Sequence, residues 1–476
     1  MHHYNQVYIN GTWEPSASSE SIPVVNPATE DVFATVPAGS ADDVDRAVTA
    51  AREAFPSWSA TAPPERAKYV TAFKDALAAY AEGIADLISA DLGAPRKTAL
   101  GFHVNAALAK IASYVEVAQH YPWEEPGDGV TLVRQPAGVV AAIVPWNAPL
   151  STPVDKVTSA LLAGCPVVLK PSEVAPLASW ALAEAIDEAG FPPGVFNLVS
   201  GEGPTVGEAL VRHHGVDVIS FTGSTRAGTR IGALAAERCA RFLLEMGGKS
   251  ANIVLEDADL DQVLKPSVLT CFANTGQICT APTRLLIDRG RYAEAIEQIK
   301  AIAEQVTVGD PATDVDLGPV VSRAQRDRVR GYIELGITEG ARLVTGGPDA
   351  PEGLEKGLYV RPTVFADVTS SMTIAQEEIF GPVLSVLAYQ DEDDAVRIAN
   401  DTRYGLSGMV WSPDQDHAGR VARRLRTGTV RVNGQNPGLA SPLGGFKQSG
   451  IGRTNGRYAL DEYTQLQAIT HEEEAE

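Results

Sequence analysis

Apolar positions recur with two different spacings along the chain, and the change of spacing divides it. Between residues 40 and 121 they recur every three or four positions, as at Ala47, Ala51 and Phe55, which predicts a set of helices. From residue 139 onward, short continuous apolar runs alternate with helical stretches. Continuous apolar strands joined by short helices predict a parallel, doubly wound sheet.

The elements of this sheet follow from the pattern between residues 139 and 237. Strands are predicted at residues 139–144, 166–169, 195–199 and 216–221. Helices are predicted at residues 155–163, 177–189, 206–212 and 227–237. A second α/β run begins near Ser250, with a helix at about 292–306 and late strands at 384–387 and 429–432. We therefore expect a change of domain near Gly247 and Gly248.

Composition disfavours several classes of function. A chain of 476 residues is too long for one core, so two or three domains are expected. The net charge of −21 argues against nucleic acid and anionic membranes as partners. The four cysteines form no CxxC pair, so no metal site is predicted, and their scarcity fits the reducing cytoplasm. Neither a signal peptide nor a transmembrane segment is predicted, since prolines and charges break the longest apolar stretch.

Two short segments contain the candidate chemistry. Phe272-Ala-Asn-Thr-Gly-Gln-Ile-Cys-Thr-Ala-Pro-Thr-Arg284 places Cys279 among small polar residues, and Leu243-Leu-Glu-Met-Gly-Gly-Lys-Ser250 places Glu245 beside a glycine pair. A thiol and a carboxylate are what an enzyme needs to form an acyl-thiol intermediate and hydrolyse it with activated water. We expect backbone dipoles to lower the pKa of Cys279. We expect the apolar neighbours of Glu245 to raise its pKa.

Other polar residues follow predicted strands. Asn147 directly follows the first strand. Its side-chain amide can stabilise an oxyanion there. The alternative is that Asn147 is only a turn residue between two prolines. The segment Phe221-Thr-Gly-Ser-Thr225 joins a strand to a helix, and its backbone amides with the Ser224 hydroxyl suit a pyrophosphate. The glycines between Gly201 and Gly207 do not have the spacing of the common dinucleotide fingerprint.

Together these segments resemble the NAD(P)-dependent aldehyde dehydrogenase superfamily, in its hydrolytic, non-acylating type, over residues 8–469. The resemblance implies a doubly wound Rossmann-like cofactor domain, a second α/β catalytic domain and a small β oligomerisation element. The NAD-binding domain is expected to comprise residues 1–120 and 138–246, and the catalytic domain residues 247–448. Residues 121–137 and 456–476 are expected to form the oligomerisation element of a homodimer or homotetramer.

The resemblance also implies a role for each candidate side chain. Cys279 is the nucleophile, Asn147 holds the oxyanion, Glu245 activates the hydrolytic water, and Lys156 helps to relay protons. The expected reaction oxidises an aldehyde to a carboxylic acid through a thiohemiacetal and a thioester, with hydride transfer to NAD(P). An acylating enzyme that passes the acyl group to coenzyme A or phosphate is the alternative, but such enzymes lack the glutamate. A second alternative is a catalytically silent structural protein on the same fold.

The cofactor is expected to be NAD, with NADP as the alternative. By resemblance, Lys170 and Glu173 contact the adenine ribose, and a carboxylate there would repel a 2′-phosphate. Glu378 is expected to hold the nicotinamide ribose and Phe380 to pack against the nicotinamide. The full set of expected cofactor-binding residues is Ile143, Trp146, Lys170, Ser172, Glu173, Gly203, Gly207, Phe221, Gly223, Ser224, Gly247, Glu378 and Phe380.

The substrate is expected to be a small-molecule aldehyde. The side chains expected at its entrance are small or aliphatic: Ala148, Ser151, Val154, Ile278, Thr280 and Leu443. No aromatic box for a quaternary ammonium and no basic cluster for a carboxylate is evident in the sequence. These side chains favour an uncharged aliphatic or aromatic aldehyde.

Overall fold

The computed structural model describes residues 4–471. The first part of the chain contains two β-hairpins and then a run of helices. Its elements are β1 (Gln6–Ile9), β2 (Thr12–Pro15), β3 (Ser21–Val25), β4 (Val32–Pro37), α1 (Ala41–Ala60), α2 (Pro63–Ala79), α3 (Ala81–Asp91), α4 (Arg96–Thr98), a π-helical segment (Ala99–Asn105) and α5 (Ala106–Gln119). The predicted helical region is confirmed, whereas the four strands before it were not predicted.

The second part alternates strand and helix, as predicted. Its elements are β5 (Glu124–Gly127), β6 (Val130–Pro136), β7 (Val140–Ile143), α6 (Ser151–Ala163), β8 (Val167–Lys170), α7 (Leu177–Glu188), β9 (Phe196–Leu198), a π-helical segment (Gly203–Gly207), α8 (Glu208–Arg212), β10 (Val218–Thr222), α9 (Thr225–Ala236) and β11 (Arg241–Glu245). Helix α6 begins four residues earlier than predicted, because Pro153 lies in its first turn, where a missing N–H costs no hydrogen bond.

The third part builds a second sheet. Its elements are β12 (Ala251–Val254), α10 (Leu260–Phe272), β13 (Arg284–Asp288), α11 (Tyr292–Glu304), α12 (Arg323–Thr338), β14 (Arg342–Thr345), β15 (Thr363–Ala366), α13 (Thr373–Gln376), β16 (Val383–Tyr389), α14 (Glu392–Asn400), β17 (Ser407–Trp411), α15 (Gln415–Ala422), β18 (Thr429–Val432), β19 (Gly450–Ile451), α16 (Gly456–Glu462) and β20 (Thr464–Thr470).

The first sheet has the strand order β19-β11-β10-β7-β8-β9-β1-β2. Its five central strands are parallel, and both edges are antiparallel additions. The chain leaves β7 toward β8 and β9 on one side and returns to β10 and β11 on the other. The strand order therefore reverses between β7 and β10, and ligands of doubly wound sheets bind beyond the carboxyl ends of the strands at such a point.

Both sheets are covered on two faces. Alternate residues of β7 belong to different apolar clusters, with Val140 and Ala142 on one side and Ala141 and Ile143 on the other. The second sheet, ordered β14-β15-β16-β13-β12-β17-β18, is parallel apart from β14. Burial on both faces explains the continuous apolar runs from which these strands were predicted.

A separate three-stranded sheet, ordered β20-β6-β5, lies apart from the two large ones. Strand β20 pairs along its length with β6 of the same chain, from Thr464 opposite Pro136 to Thr470 opposite Val130. Within residues 4–471, its other edge pairs with no strand. Leu466 on this strand is 60% exposed. The predicted domain ranges include residues 1–3 and 472–476, which lie outside the described part of the chain.

Candidate active site

The carboxyl ends of three neighbouring strands meet at one cavity of about 280 Å³. Strand β7 leads to Asn147, β10 to Ser224, and β11 ends at Glu245, which is where a doubly wound sheet receives its ligand. Cys279 reaches the same cavity from the loop between α10 and β13. The cavity is lined by Pro145, Trp146, Asn147, Thr222, Gly223, Ser224, Glu245, Met246, Gly247, Cys279, Gln325, Arg328, Glu378 and Phe380.

Two glycines allow the two halves of this site to approach each other. A Cβ at Gly247 would lie 2.1 Å from Oε2 of Glu378, and a Cβ at Gly248 would lie 2.8 Å from the backbone oxygen of Cys279. Both distances are shorter than real Cβ contacts. The glycine pair thus lets the end of the first sheet lie directly against the cysteine loop and the Glu378 segment.

The cysteine loop has an unusual backbone conformation just before the thiol. Asn274 and Thr275 have φ angles of 52° and 57°, a left-handed conformation that is uncommon for a β-branched residue. The buried side chain of Gln277 ties this turn to its surroundings, because Nε2 donates to the Asn274 carbonyl at 3.2 Å and Oε1 accepts from the Val321 amide at 3.0 Å. Cys279 is therefore presented by a fixed loop.

Asn147 is held at both its side chain and its backbone. Its Nδ2 donates to the carbonyl of Gln277 at 2.9 Å, and its own carbonyl accepts from Nδ2 of Asn274 at 3.1 Å. Behind Asn274 lies the buried ring of His103, whose Nε2 is 3.3 Å from Asn274 Oδ1. Burial lowers the pKa of His103 to about 4, so this ring is neutral. The amide of Asn147 is thus fixed beside the cysteine loop.

Glu245 is a buried carboxylate at the end of β11. Burial raises its pKa well above the usual range, and the cation of Lys156 opposes this shift. Its Oε1 has no hydrogen-bond partner among the described residues, and a Cβ at Gly444 would lie 2.9 Å from that oxygen. The predicted rise of the pKa is confirmed, and a carboxylate tuned in this way suits a general base.

Lys156 does not hydrogen-bond to Glu245. Its Nζ donates to Oγ of Ser220 at 2.9 Å, and the same hydroxyl accepts from the Tyr463 hydroxyl at 2.8 Å. Burial lowers the pKa of Lys156, whereas the carboxylates of Asp155 and Glu245 raise it. Lys156 therefore acts on Glu245 through its charge.

The expected lowering of the pKa of Cys279 is wrong for this arrangement. Burial raises the pKa of the thiol to about 12, and the nearby carboxylates of Glu378 and Glu245 add to the rise. The backbone amides of Thr280 and of Cys279 itself lower it by less. The thiol is therefore protonated near neutral pH, and it must transfer its proton to a base when it attacks.

The residues predicted for the adenosine end of the cofactor lie together beyond β8. Nζ of Lys170 donates to the Pro171 carbonyl at 2.8 Å and is 3.5 Å from Oε2 of Glu173. Oγ of Ser172 accepts from the Val174 amide at 3.3 Å, which shapes the turn between them. The π-helical segment from Gly203 to Gly207 approaches from the side, since a Cβ at Gly207 would lie 3.8 Å from Cδ of Lys170.

The residues predicted for the pyrophosphate lie between β10 and α9. Ser224 is the N-cap of α9, and its Oγ accepts from the Ala227 amide at 3.3 Å. The Gly223 amide donates to the Glu245 carbonyl at 3.0 Å, and a Cβ at Gly223 would lie 2.5 Å from the ring of Phe221. Ile143 ends β7 beside them. The free amides of the first turn of α9 face the carboxyl edge of the sheet, where anions bind well.

Trp146 and Phe380 form the aromatic wall of the cavity. Their ring centroids are 5.3 Å apart with an interplanar angle of 85°. Phe380 has a φ angle of 64°, a conformation that is rare for a bulky residue and that clusters at ligand sites. Burial raises the pKa of Glu378 to about 7, and its Oε1 accepts from the Gly248 amide at 3.1 Å.

Two residues that hold this wall were not predicted. Nε2 of Gln325 donates to the Phe380 carbonyl at 2.7 Å, and Nη2 of Arg328 donates to the Glu378 carbonyl at 2.6 Å. Both lie on α12, which the sequence patterns did not connect with any motif. No sequence pattern could have indicated these two residues, because their partners are backbone carbonyls about fifty residues further along the chain.

A second cavity, of about 360 Å³, touches the cysteine loop through Ile278 and Thr280, two of the residues predicted for the substrate entrance. It is lined by Phe102, Pro266, Leu269, Thr270, Ala273, Ile278, Thr280, Ala281, Arg431 and Asn436. Of the other predicted entrance residues, Val154 is wrong, since it is buried in the core of the first domain. Phe102, Leu269 and Arg431 were missed, because they come from three separate elements.

Comparison with known proteins agrees with this geometry. The aldehyde dehydrogenase family model matches residues 13–469. The 3-succinoylsemialdehyde-pyridine dehydrogenase of a Pseudomonas species is 44% identical over 98% of this chain and 99% of its own. The crystal structure of a cysteine-to-alanine mutant of aldehyde dehydrogenase C from Pseudomonas syringae, in complex with NAD+ and octanal, is similar with a TM-score of 0.98 and 45% identity, covering 100% of this chain and 98% of that one.

Two more solved structures are similar over almost the whole chain. The aldehyde dehydrogenase of Mycobacterium tuberculosis in complex with NAD+ has a TM-score of 0.96 at 41% identity, covering 99% of both chains. The betaine aldehyde dehydrogenase of Staphylococcus aureus has a TM-score of 0.96 at 34% identity, covering 100% of this chain and 96% of that one.

This chain therefore belongs to the aldehyde dehydrogenase family. The predicted fold and the predicted class of enzyme, an oxidoreductase acting on aldehydes, are both confirmed. Within residues 4–471, no helix is long and apolar enough to cross a membrane.

Proposed function

We propose that this enzyme oxidises an aldehyde to a carboxylic acid with NAD, and that Cys279, Asn147, Glu245 and Lys156 are its catalytic residues. The observation that supports this most directly is the single cavity that holds Cys279, Asn147 and Glu245 together with the aromatic pair of Trp146 and Phe380. A nucleophile, an oxyanion donor and a base in one place are the parts that acyl transfer to water requires.

The residues around the cavity fit a dinucleotide. The first turn of α9 offers backbone amides to a pyrophosphate, and Lys170 with Glu173 offers a cation and a carboxylate to a ribose. Trp146 and Phe380, packed edge to face, offer aromatic surface to an aromatic ring in the cavity. NAD, when bound, accepts the hydride of the aldehyde. The solved relatives from P. syringae and M. tuberculosis, both in complex with NAD+, support this choice.

The chain's own residues would act in two stages. In the first, the Cys279 thiol gives its proton to Glu245 and its sulfur attacks the aldehyde carbon. Nδ2 of Asn147 and the Cys279 amide would donate to the oxygen that becomes negative. After oxidation the acyl group is a thioester on Cys279.

In the second stage, Glu245 first releases the Cys279 proton to solvent and then removes a proton from water, which attacks the thioester. The carbon–sulfur bond breaks, the acid leaves, and the Cys279 sulfur takes the water-derived proton from Glu245 to become a thiol again. The cation of Lys156 favours the ionised form of Glu245 at both stages. Burial raises the pKa of both the Cys279 thiol and the Glu245 carboxyl, so that each group holds its proton more firmly than it would in water.

The experiment that tests this function is reduction of the nucleotide, followed by absorbance, with a panel of aldehydes. It is run with NAD and with NADP, and with and without coenzyme A. Reduction of NAD without coenzyme A and release of the free acid are expected. A strict need for coenzyme A or phosphate would favour the acylating alternative, which Glu245 argues against. No reduction under any of these conditions would favour the silent structural protein.

We also propose that the chain assembles in the cytoplasm as a homodimer or homotetramer, with residues 121–137 and 456–476 as the oligomerisation element. Among the described residues no strand pairs with the outer edge of β20, and Leu466 on it is exposed; both support this assembly, because an open sheet edge favours a partner. Light scattering of the purified protein measures the assembly directly. The proposed cofactor domain, residues 1–120 and 138–246, and catalytic domain, residues 247–448, follow the two large sheets.

A further inference from the structure

Arg431 differs in its partners from Arg284 and Arg424, two other arginines in the part of the chain that builds the second sheet. It lies on β18 and lines the second cavity. Arg284, by comparison, donates to three backbone carbonyls, and Arg424 pairs with two carboxylates. Within residues 4–471, Arg431 forms neither a hydrogen bond nor an ion pair. Burial alone lowers the pKa of Arg431.

The surroundings of Arg431 make this unpaired charge conspicuous. The cavity walls are mainly aliphatic and aromatic, with Phe102, Leu269 and Ile278 among them. None of the described residues that line it is acidic. A partly buried guanidinium without a counter-charge is costly, and such groups are usually paired. The amide of Asn436 adds a second polar group on the same wall.

The position of the cavity links Arg431 to the reaction. Ile278 and Thr280 flank Cys279 in the chain, and both line the cavity. Because two neighbours of Cys279 line it, this cavity is the candidate space for the other end of an aldehyde held at the Cys279 sulfur. At about 360 Å³, the cavity lies in the size range of small-molecule sites.

We propose that Arg431 is a specificity-determining residue, which binds a carboxylate at the far end of the aldehyde substrate. The guanidinium offers two parallel N–H donors, which match the two oxygens of a carboxylate. The preferred substrates are then ω-carboxy aldehydes, contrary to the uncharged aldehyde expected from the sequence. This inference rests on the proposed aldehyde oxidation.

The test compares pairs of aldehydes that differ only in the terminal group. The monoaldehydes of succinate, glutarate and adipate are measured against butanal, pentanal and hexanal. The wild-type enzyme is expected to have the higher kcat/KM for the acid in at least one pair. In Arg431→Met, the ratio of kcat/KM for acid over alkanal is expected to fall about 10- to 100-fold, the range of a hydrogen bond to a charged group.

Two further variants separate charge recognition from a general change of the cavity. Arg431→Lys keeps the positive charge without the two parallel N–H donors. Its ratio of kcat/KM for acid over alkanal is expected to lie between those of the wild type and Arg431→Met. Phe102→Ala changes the same cavity and is expected to lower kcat/KM for acid and alkanal alike, so that the ratio stays near the wild-type value. Activity of Arg431→Met on alkanals shows that the variant is folded.

Each other outcome has a definite meaning. If the wild-type enzyme prefers the alkanal in every pair, or if Arg431→Met lowers kcat/KM for both kinds of aldehyde equally, the proposed role of Arg431 is wrong. Aldehyde oxidation itself would still stand. If the wild-type enzyme oxidises neither kind of aldehyde, the proposed function itself fails, and the inference fails with it.

Discussion

The side-chain amide of Asn147 donates a 2.9 Å hydrogen bond to the backbone carbonyl of Gln277, two residues before Cys279. One end of the first sheet is thereby joined to the loop that presents the thiol. The Asn147 carbonyl accepts in turn from Asn274 in the same loop. The proposed oxyanion donor and the proposed nucleophile are thus positioned by one small network, in which a change at either residue affects the other.

Replacement of Asn147 by alanine is expected to lower kcat about 10²-fold or more, with a much smaller change of KM, because an oxyanion donor acts in the transition state. Steady-state kinetics with a good aldehyde measure the change of kcat and the change of KM separately. Asn274→Ala is the matched control, since it removes a loop contact without removing the donor, and it is expected to have the smaller effect. Equal kcat losses in both variants would mean that Asn147 only holds the loop.

Cys279 and Glu245 are expected to fail at different stages. Cys279→Ala has no nucleophile and should give neither turnover nor a burst of NADH. Glu245→Gln should still acylate, though more slowly, and then stop, with a burst of about one NADH per subunit and little turnover. Stopped-flow absorbance distinguishes the two, and mass spectrometry of the stalled variant should find the acyl group on Cys279. Full turnover in either variant contradicts the assignment.

The pH dependence follows from the raised pKa of Glu245. A general base acts in its ionised form, so kcat for thioester hydrolysis should rise as pH increases through that raised pKa, on the alkaline side of neutrality. Lys156→Met removes a cation that lowers the pKa of Glu245, and should move this rise to higher pH. Profiles measured between about pH 6 and pH 10 test both points. If kcat of the wild-type enzyme did not change with pH at the acid end of this range, the result would be inconsistent with the role of Glu245.

Choice of nucleotide is expected to depend on Glu173. Its carboxylate lies 3.5 Å from the Lys170 ammonium at the proposed ribose site, and it would repel a 2′-phosphate. Glu173→Gln should therefore raise kcat/KM with NADP relative to NAD by about tenfold or more, since like charges in contact cost several kcal/mol. The ratio is measured with saturating aldehyde. An unchanged ratio would show that the carboxylate does not face the ribose.

Arg284, the last residue of the cysteine motif, is expected to matter for stability. It is buried, and its guanidinium donates to the carbonyls of Lys249, Ile398 and Ala399 at 2.7–2.9 Å. Arg284→Met removes all three of these hydrogen bonds from a charged donor and should cost about 3 kcal/mol of unfolding free energy. Chemical denaturation of the variant measures this. Exposed Arg423→Met is the control and should change stability by less than about 0.5 kcal/mol.

The sequence patterns succeeded where a property depends on local spacing. The runs around Val140 and Ile219 predicted parallel strands correctly, because a strand buried on both faces must be apolar throughout. They failed at residues 6–37, where four short strands alternate only weakly between exposed and buried positions. Short hairpins of this kind are specified mainly by the surfaces that they pack against.

The pKa of Cys279 could not be predicted from the residues next to it in the chain. Small uncharged neighbours indicated a thiol that depends on backbone dipoles, and those dipoles do act. The larger effects come from burial and from Glu378, a carboxylate about one hundred residues further along the chain. An electrostatic environment of this kind depends on distance in space, which the order of residues does not state.

By itself, the sequence determined the alternating strands and helices, the residue types able to form and hydrolyse a thioester, and the family to which the chain belongs. Only the tertiary structure decided which of these residues meet. It brought Glu245 and Cys279 to one cavity through the close contact at Gly247 and Gly248, and it gave Arg431 no polar partner within residues 4–471. The physical reason is that local structure follows from spacing and conformational preference, whereas contacts, burial and charge pairing depend on how distant segments pack.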